Sequence, residues 1–168
     1  MTKKSNAKKP SPDVPKSPSE SRIEMREIVF PNDANNHGTI FGGKVLQLMD
    51  IACAMSAQKH CRGPVVTAAM DQVEFLSAIP LGHHIVLNAM VNYVSNSSLE
   101  VGVRVSSEDP YSGHETKTSS AYLIFVHLDK DGKPTPAPEL LPQTDGEKQR
   151  YEEARERMEI RRARRRRE

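Results

Sequence analysis

The chain has 168 residues, no tryptophan, twelve prolines, two cysteines and a formal net charge of +2. That length holds one domain with a real core and hardly two. No stretch approaches the roughly 20 apolar residues of a membrane-spanning helix, so no membrane role is expected. The opening, MTKKSNAKKPSPDVPKSPSE, is basic with no apolar run behind it, and we expect no secretory signal there. Cys53 and Cys61 fit no metal or redox spacing, and a reducing, cytoplasmic setting is expected.

Charge is unevenly spread. Residues 1–21 carry five lysines against two acids, and 145–168 carry ten basic and seven acidic residues. The middle, 22–144, carries nine basic and thirteen acidic residues and is net acidic. Residues 1–21 are rich in Lys, Pro and Ser and read as a disordered tail. A folded domain is expected over 22–142, and a charged, Arg-rich helix or tail over 143–168.

Within the domain, Arg22–Phe30 reads as a first strand with Ile23, Met25 and Ile28 as its apolar members. The polar loop PNDANNHGTIFGG leads into the clearest helix, Gly43 to about His60, which Arg62-Gly63-Pro64 stops. At 100° per residue Val45, Met49, Ala52 and Ser56 share one side, extended by Leu46 and Cys53. Leu48, Ile51 and Met55 lie on another. A helix apolar nearly all round is buried on several faces. Strands are expected over Val65–Leu76, over His84–Val94 with Ile85, Leu87, Ala89, Val91 and Tyr93 on one face, from Leu99 through Val105, and over Lys117–Leu128. Short turns between them imply antiparallel neighbours. The class is α+β: one long helix against one antiparallel sheet. A single sheet covers only one side of such a helix, so a partner subunit is expected to cover the rest.

Two features of the helix region carry chemistry. Gly42 and Gly43 place unobstructed amides at a helix N-terminus, where they have no helical partner and the dipole is positive, fit for an anion or an oxyanion. Two turns on, Asp50 lies between Met49 and Ile51, and apolar surroundings make a carboxylate a better base. It also fits the edge of a polar stripe with Lys44, Gln47 and Gln58. Asn35, in the preceding loop, is a candidate site residue or an ordinary turn residue.

Other patterns fail on chemistry. Gly38–Lys44 resembles a phosphate-binding loop, but Val45 replaces the hydroxyl that would hold Mg²⁺. Asp129–Gly132 resembles the start of a calcium loop without its later ligands and reads as a turn. No two histidines take an i, i+4 spacing on a helix, and no metal site is expected. The run Arg161-Arg162-Ala163-Arg164-Arg165-Arg166-Arg167 suits nucleic acid or an acidic surface, but charge runs at chain ends are mostly solvated, so no nucleic-acid role is assigned.

Asn35-x-x-Gly38-x-x-Phe41-Gly42-Gly43, followed after six residues by Asp50, resembles the signature of the hotdog-fold acyl-CoA thioesterases. In particular it resembles the bacterial short- and medium-chain enzymes and the related cytosolic animal acyl-CoA hydrolases. Val66-Thr67, Met70-Asp71-x-Val73-x-Phe75, Pro80-x-Gly82, Ser97-Ser98-x-Glu100 and Phe125-Val126 extend the resemblance over roughly Ile23–Pro142. His37 departs from it, standing where small or amide residues are common. The resemblance implies a sheet wrapped around the central helix, and two protomers joining their sheets, with hexamers built as trimers of dimers. It also implies a catalytic pair in which Asn35 of one protomer faces Asp50 of the other. Gly42 and Gly43 would bind the oxyanion, and Thr67, Ser97 and Ser98 would meet the pantetheine or nucleotide. The acidic core leaves Arg62, Lys59, Arg104 and the tail arginines as cations for phosphates. No cofactor is implied, coenzyme A being part of substrate and product. Two other readings remain open. Asp33-x-Asn35-x-His37 resembles a hydratase motif one residue short, and a non-catalytic acyl-CoA-binding module would share the fold.

Overall fold

The computed structural model describes residues 14–166. Its elements are β1 (Ile23–Ile28), α1 (Gly42–Cys61), β2 (Val65–Phe75), β3 (His84–Ser95), β4 (Ser98–Glu108), β5 (Glu115–His127) and α2 (Asp145–Arg165), with 3₁₀ turns at Pro18–Ser21 and Pro31–Asp33. All strand pairs are antiparallel, in the order β1-β3-β4-β5-β2. α1 packs against all five strands, so the sheet curls around it as in the hotdog fold.

The core follows from the two periodicities. Ile85, Leu87, Ala89 and Val91 of β3, Leu99, Val101, Val103 and Val105 of β4, and Leu123 and Phe125 of β5 all turn inward. They meet Val45, Leu48, Met49, Ala52, Cys53 and Ala57 of α1. Arg62 takes a left-handed conformation (φ 52°) and its amide donates to Gln58 O, ending the helix. Gly63 follows because a Cβ there would stand 2.7 Å from His127 Nε2.

Three expectations are corrected. First, β2 and β3 are not neighbours. β2 pairs with β5 at the far edge, and residues 76–83 cross under the start of α1, anchored by buried Ile79, whose carbonyl accepts from Ile40 N at 2.9 Å. Second, Tyr93 does not share the inward face of β3. A bulge between Val91 and Tyr93 adds a residue, pairs Tyr93 with Glu100 and turns it outward, edge-on to Tyr151 of α2 at 5.0 Å between ring centres.

Third, the disorder expected through residue 21 fails for residues 14–21; residues 1–13 lie outside the described residues. Ser17 caps the Pro18–Ser21 turn with Glu20 in a capping box. Lys16 pairs backbone groups with Glu139 and Leu141. Buried Ser21 Oγ accepts from Val91 N, and Ser56 Oγ donates to Ser21 O. Composition argued for disorder because the segment has few apolar groups; its order comes from polar groups placed against the fold.

The charged C-terminal segment is a helix laid on the outer face of the sheet. Thr144 and Glu147 form its capping box. Burial raises the proton affinity of Glu147, but the amides of Gln143, Thr144 and Ser19 outweigh it and hold the carboxyl below the usual range. Ala154 and Met158 are buried against the sheet. Arg157 forks onto Glu100, which is 1 % exposed, at 2.7 and 3.0 Å, and lies 3.7 Å over the Tyr122 ring. Glu100, between the inward-facing Leu99 and Val101, is thus covered on the outer face by a paired cation. Arg157→Met leaves a buried carboxylate unpaired and is expected to lower the unfolding free energy by about 3 kcal/mol. Adding Glu100→Gln should recover part of the loss in urea melts, and an unchanged midpoint in Arg157→Met would contradict the pairing.

Candidate active site

The loop before α1 is tied by its own side chains. Ala34 and Ile40 bridge, and Gly38 turns the chain at φ 74°. Asn35 Oδ1 accepts from the amides of His37 (2.9 Å) and Thr39 (3.3 Å), while its Nδ2 donates to Thr39 Oγ1 (3.0 Å). The half-buried Asn35 therefore does turn chemistry, and the turn fixes its amide beside the helix start. Thr39, which the sequence did not single out, is its main partner. His37 is exposed on the same turn.

α1 begins at Gly42, and Phe41 at its N-cap offers no side-chain hydrogen bond. Phe41 O takes the amides of Lys44 and Val45. Those of Gly42 and Gly43 have no acceptor among the described residues. A Cβ on Gly43 would meet nothing within 4 Å, so packing inside the protomer does not require glycine there. Next to this terminus opens an apolar cleft of about 320 Å³, lined chiefly by Ile40, Val45, Phe75, Leu76 and Ile79. Sequence alone does not show this cleft, because it needs the crossing of residues 76–83 under α1.

Asp50 is half-buried. Met49 beside it is fully buried, but Ile51 is 42 % exposed, so its apolar surroundings are complete on one side only. Thr67 Oγ1 of β2 donates to Asp50 Oδ1 at 2.7 Å. The other carboxylate oxygen has no partner among the described residues. Burial, and then the charge of Asp50, push the Cys53 thiol well above its ordinary range, and burial pushes Cys61 up to about 12. Neither is an active nucleophile.

The remaining candidates do not gather around Asp50 within the protomer. Ser97 and Ser98 lie at the β3–β4 turn, where Asn96 takes φ 51°. Arg62 caps the far end of α1, and Lys59 Nζ donates to Arg22 O. Arg104 is exposed on the outer face, paired across strands with Asn88 and Ser120, away from α1. Asp129 Oδ1 accepts from the amides of Asp131 and Lys133, as a turn residue does. Among the described residues, no group of three or more His, Cys, Asp or Glu could hold a metal, and no helix is long and apolar enough to cross a membrane.

A long helix with a bare, glycine-lined N-terminus inside a curled antiparallel sheet is the frame of a thioesterase-type protein. The family description "Thioesterase superfamily" matches residues 37–114. An uncharacterized acyl-CoA thioester hydrolase of Bacillus subtilis is 41 % identical over 128 residues, covering 76 % of this chain and 74 % of the relative. The chain belongs to the thioesterase superfamily. An acyl-CoA hydrolase of Staphylococcus aureus, solved with butyryl-coenzyme A, coenzyme A and coenzyme A disulfide, superposes with a TM-score of 0.84 at 41 % identity, over 90 % of this chain and 93 % of that one. A hexameric acyl-CoA thioesterase superposes at 0.85 with 41 % identity, over 89 % and 96 %. The S. aureus enzyme was also solved with an asparagine, an aspartate and a threonine each changed to alanine. The sequence spacing of those three positions is the spacing of Asn35, Asp50 and Thr67.

Gly43→Ala separates packing from function. Its thermal stability is expected to hold or to gain up to about 1 kcal/mol from better helix propensity. The amide is kept, but the added Cβ projects into the open space beside it where the thioester would lie, so turnover should fall. A clear loss of stability would show that packing, not ligand, requires the glycine.

Proposed function

We propose that the chain hydrolyses acyl-CoA thioesters to free acid and coenzyme A at a site shared between two protomers. The observation that carries this is the pair Asp50–Thr67 at 2.7 Å, set two turns along the same helix whose start bears two free amides. At 1.5 Å rise per residue, Gly43 and Asp50 of one chain stand about 10 Å apart along the axis. One thioester carbon cannot lie about 3 Å from both. A second protomer removes the difficulty: its Asp50 faces the Gly43 amide and Asn35 of the first.

In this site the carbonyl oxygen points at the amides of Gly43 and Gly42. Thr67 holds Asp50 Oδ1, leaving Oδ2 to act. Oδ2 takes a proton from water as hydroxide adds to the thioester carbon, or attacks that carbon itself for water to complete the cleavage. In either course negative charge builds on the same oxygen and the same amides receive it. The C–S bond breaks, and the departing thiolate ends as a thiol. Asn35 orients the water or the thioester. The apolar cleft beside Gly42 takes the acyl group. Ser97, Ser98, Arg62 and Arg104 are held for the coenzyme A portion, from whichever protomer presents them. No cofactor enters.

Assembly supports the same reading. β2 is an edge strand with a partner on one side only, and Val66 and Phe75 on it are 46 % and 54 % exposed. Ile51 and Met55 form an open apolar stripe on α1, 42 % and 43 % exposed. Edge strands with apolar exposure are covered in stable proteins. Pairing two β2 edges joins the sheets into a dimer and covers the seam near Asp50, and dimers assemble further as in the hexameric relative. The free, buried cysteines suit the reducing cytoplasm. Two arginines of the C-terminal run are engaged by the fold itself, Arg161 on Asp71 and Arg162 on Ser95, which leaves a nucleic-acid role without support.

Thiol release from a panel of acyl-CoAs tests the reading. Asp50→Asn is expected to lower kcat by about 10²–10⁴-fold while coenzyme A binding and fold persist. Hydration of an enoyl-CoA without free thiol would favour a hydratase. Binding without any turnover would favour a carrier module. Near-normal rates in Asp50→Asn would remove Asp50 from the chemistry.

A further inference from the structure

The outer face of the sheet holds a second concavity, of which the catalytic reading draws on Arg104 alone. Its volume is about 530 Å³, and it spans the start of β1, the middle of β3, β4 and β5, and the first half of α2. Strand register explains the hollow. Asn88, Arg104 and Ser120 are direct cross-strand neighbours, and in the next row so are Met90, Gly102 and Tyr122. Gly102 puts no side chain at the centre of its row. A Cβ there would stand 2.6 Å from Asn92 Nδ2 and 3.5 Å from the Tyr122 ring.

The rim is basic. Arg22, Arg104, Lys117 and Arg150 line it, all exposed, against the single acid Glu115. None of these four cations forms an ion pair among the described residues, whereas Arg26, Arg155, Arg157 and Arg161 each hold a carboxylate. Three of the four belong to the 22–144 region, which is net acidic, so their convergence runs against the background charge. Like charges drawn from four different segments around one hollow repel one another until an anion offsets them. Guanidinium forks match phosphate oxygens in pairs. A hollow of this size takes a small molecule rather than a simple ion.

We propose that this basin binds an anion carrying at least two phosphate groups. Arg104 and Lys117 on the sheet and Arg150 on α2 grip the phosphates, and Asn88 and Ser120 supply neutral contacts between them. A single phosphate would engage one or two of these cations and leave the others repelling. Two sources share this chemistry: a free polyphosphate metabolite, and the pyrophosphate-bearing end of coenzyme A. Because the sheet separates the basin from α1 of the same protomer, the second source requires a thioester end seated on a neighbouring protomer. The inference rests on the anion chemistry and stands whether or not the chain cleaves thioesters.

Titration calorimetry of the full chain with inorganic pyrophosphate, at constant ionic strength, tests it. Saturable binding is expected, at least about tenfold tighter than inorganic sulfate. Arg104→Ala combined with Lys117→Ala should weaken pyrophosphate about tenfold or more, while Arg155→Ala, paired with Glu152 elsewhere on α2, should leave it unchanged. A thermal melt checks the fold, and if the double variant fails to fold, Lys117→Glu alone should still weaken binding. Repeating the titration with saturating coenzyme A identifies the source: competition assigns the basin to the coenzyme A end, and independent binding assigns it to a free polyphosphate. Absence of saturable pyrophosphate binding, or an affinity untouched by these substitutions, overturns the proposal.

Discussion

The structure depends on a mismatch between one helix and the sheet that holds it. α1 is twenty residues long and apolar over most of its circumference. A sheet of five strands, even curled far enough to touch it with every strand, leaves Ile51 and Met55 open. Burying an apolar side chain contributes about 1.5–3 kcal/mol, so an open stripe of this kind favours a partner. The same stripe runs past Asp50. The surface that calls for a second subunit is therefore the surface on which the carboxylate proposed to react sits, and in that proposal assembly and chemistry share one cause.

The second cause is the glycine pair at the helix start. The other α-helix is capped: Thr144 and Glu147 close α2. Of the two α-helices, α1 starts on residues that cannot cap, after a phenylalanine that accepts nothing through its side chain. Leaving amides uncapped costs stability, typically about 1 kcal/mol. Such a departure from the local rule is expected where the free donors are reserved for a ligand.

Most of the fold was legible because period and position agree. The strands with clean alternation, β3 as far as Val91 and β4 as far as Val105, fell where the pattern placed them, and α1 began and ended within one residue of its stop and start signals. What escaped was what sequence does not encode locally. The bulge after Val91 reverses the face of Tyr93 with no turn residue to announce it. The pairing of β2 with β5 is a long-range choice, made possible by a crossing segment whose only sequence mark was Pro80 and Gly82. The order of residues 16–21 rests on single hydrogen bonds to distant backbone groups, invisible in a composition of Lys, Pro and Ser. Of the candidate site, Asn35, Gly42, Gly43 and Asp50 stand in the sequence motif that resembles the family signature. The Thr67 hydroxyl was readable as a candidate, but its bond to Asp50 required the fold, as did the removal of Arg104 to the opposite face.

The central claim is that one working site takes its amides and Asn35 from one chain and its carboxylate from another. Subunit mixing tests it most directly. Asn35→Ala and Asp50→Asn proteins, each nearly inactive alone, are unfolded together, refolded and assayed for thiol release. If the site spans two protomers, half the dimers are mixed and each holds one intact site, so activity should return to about one quarter of that of the unaltered protein. If the mixture stays at the level of its inactive parents although mixed dimers form, the site lies within a single chain and the account is wrong.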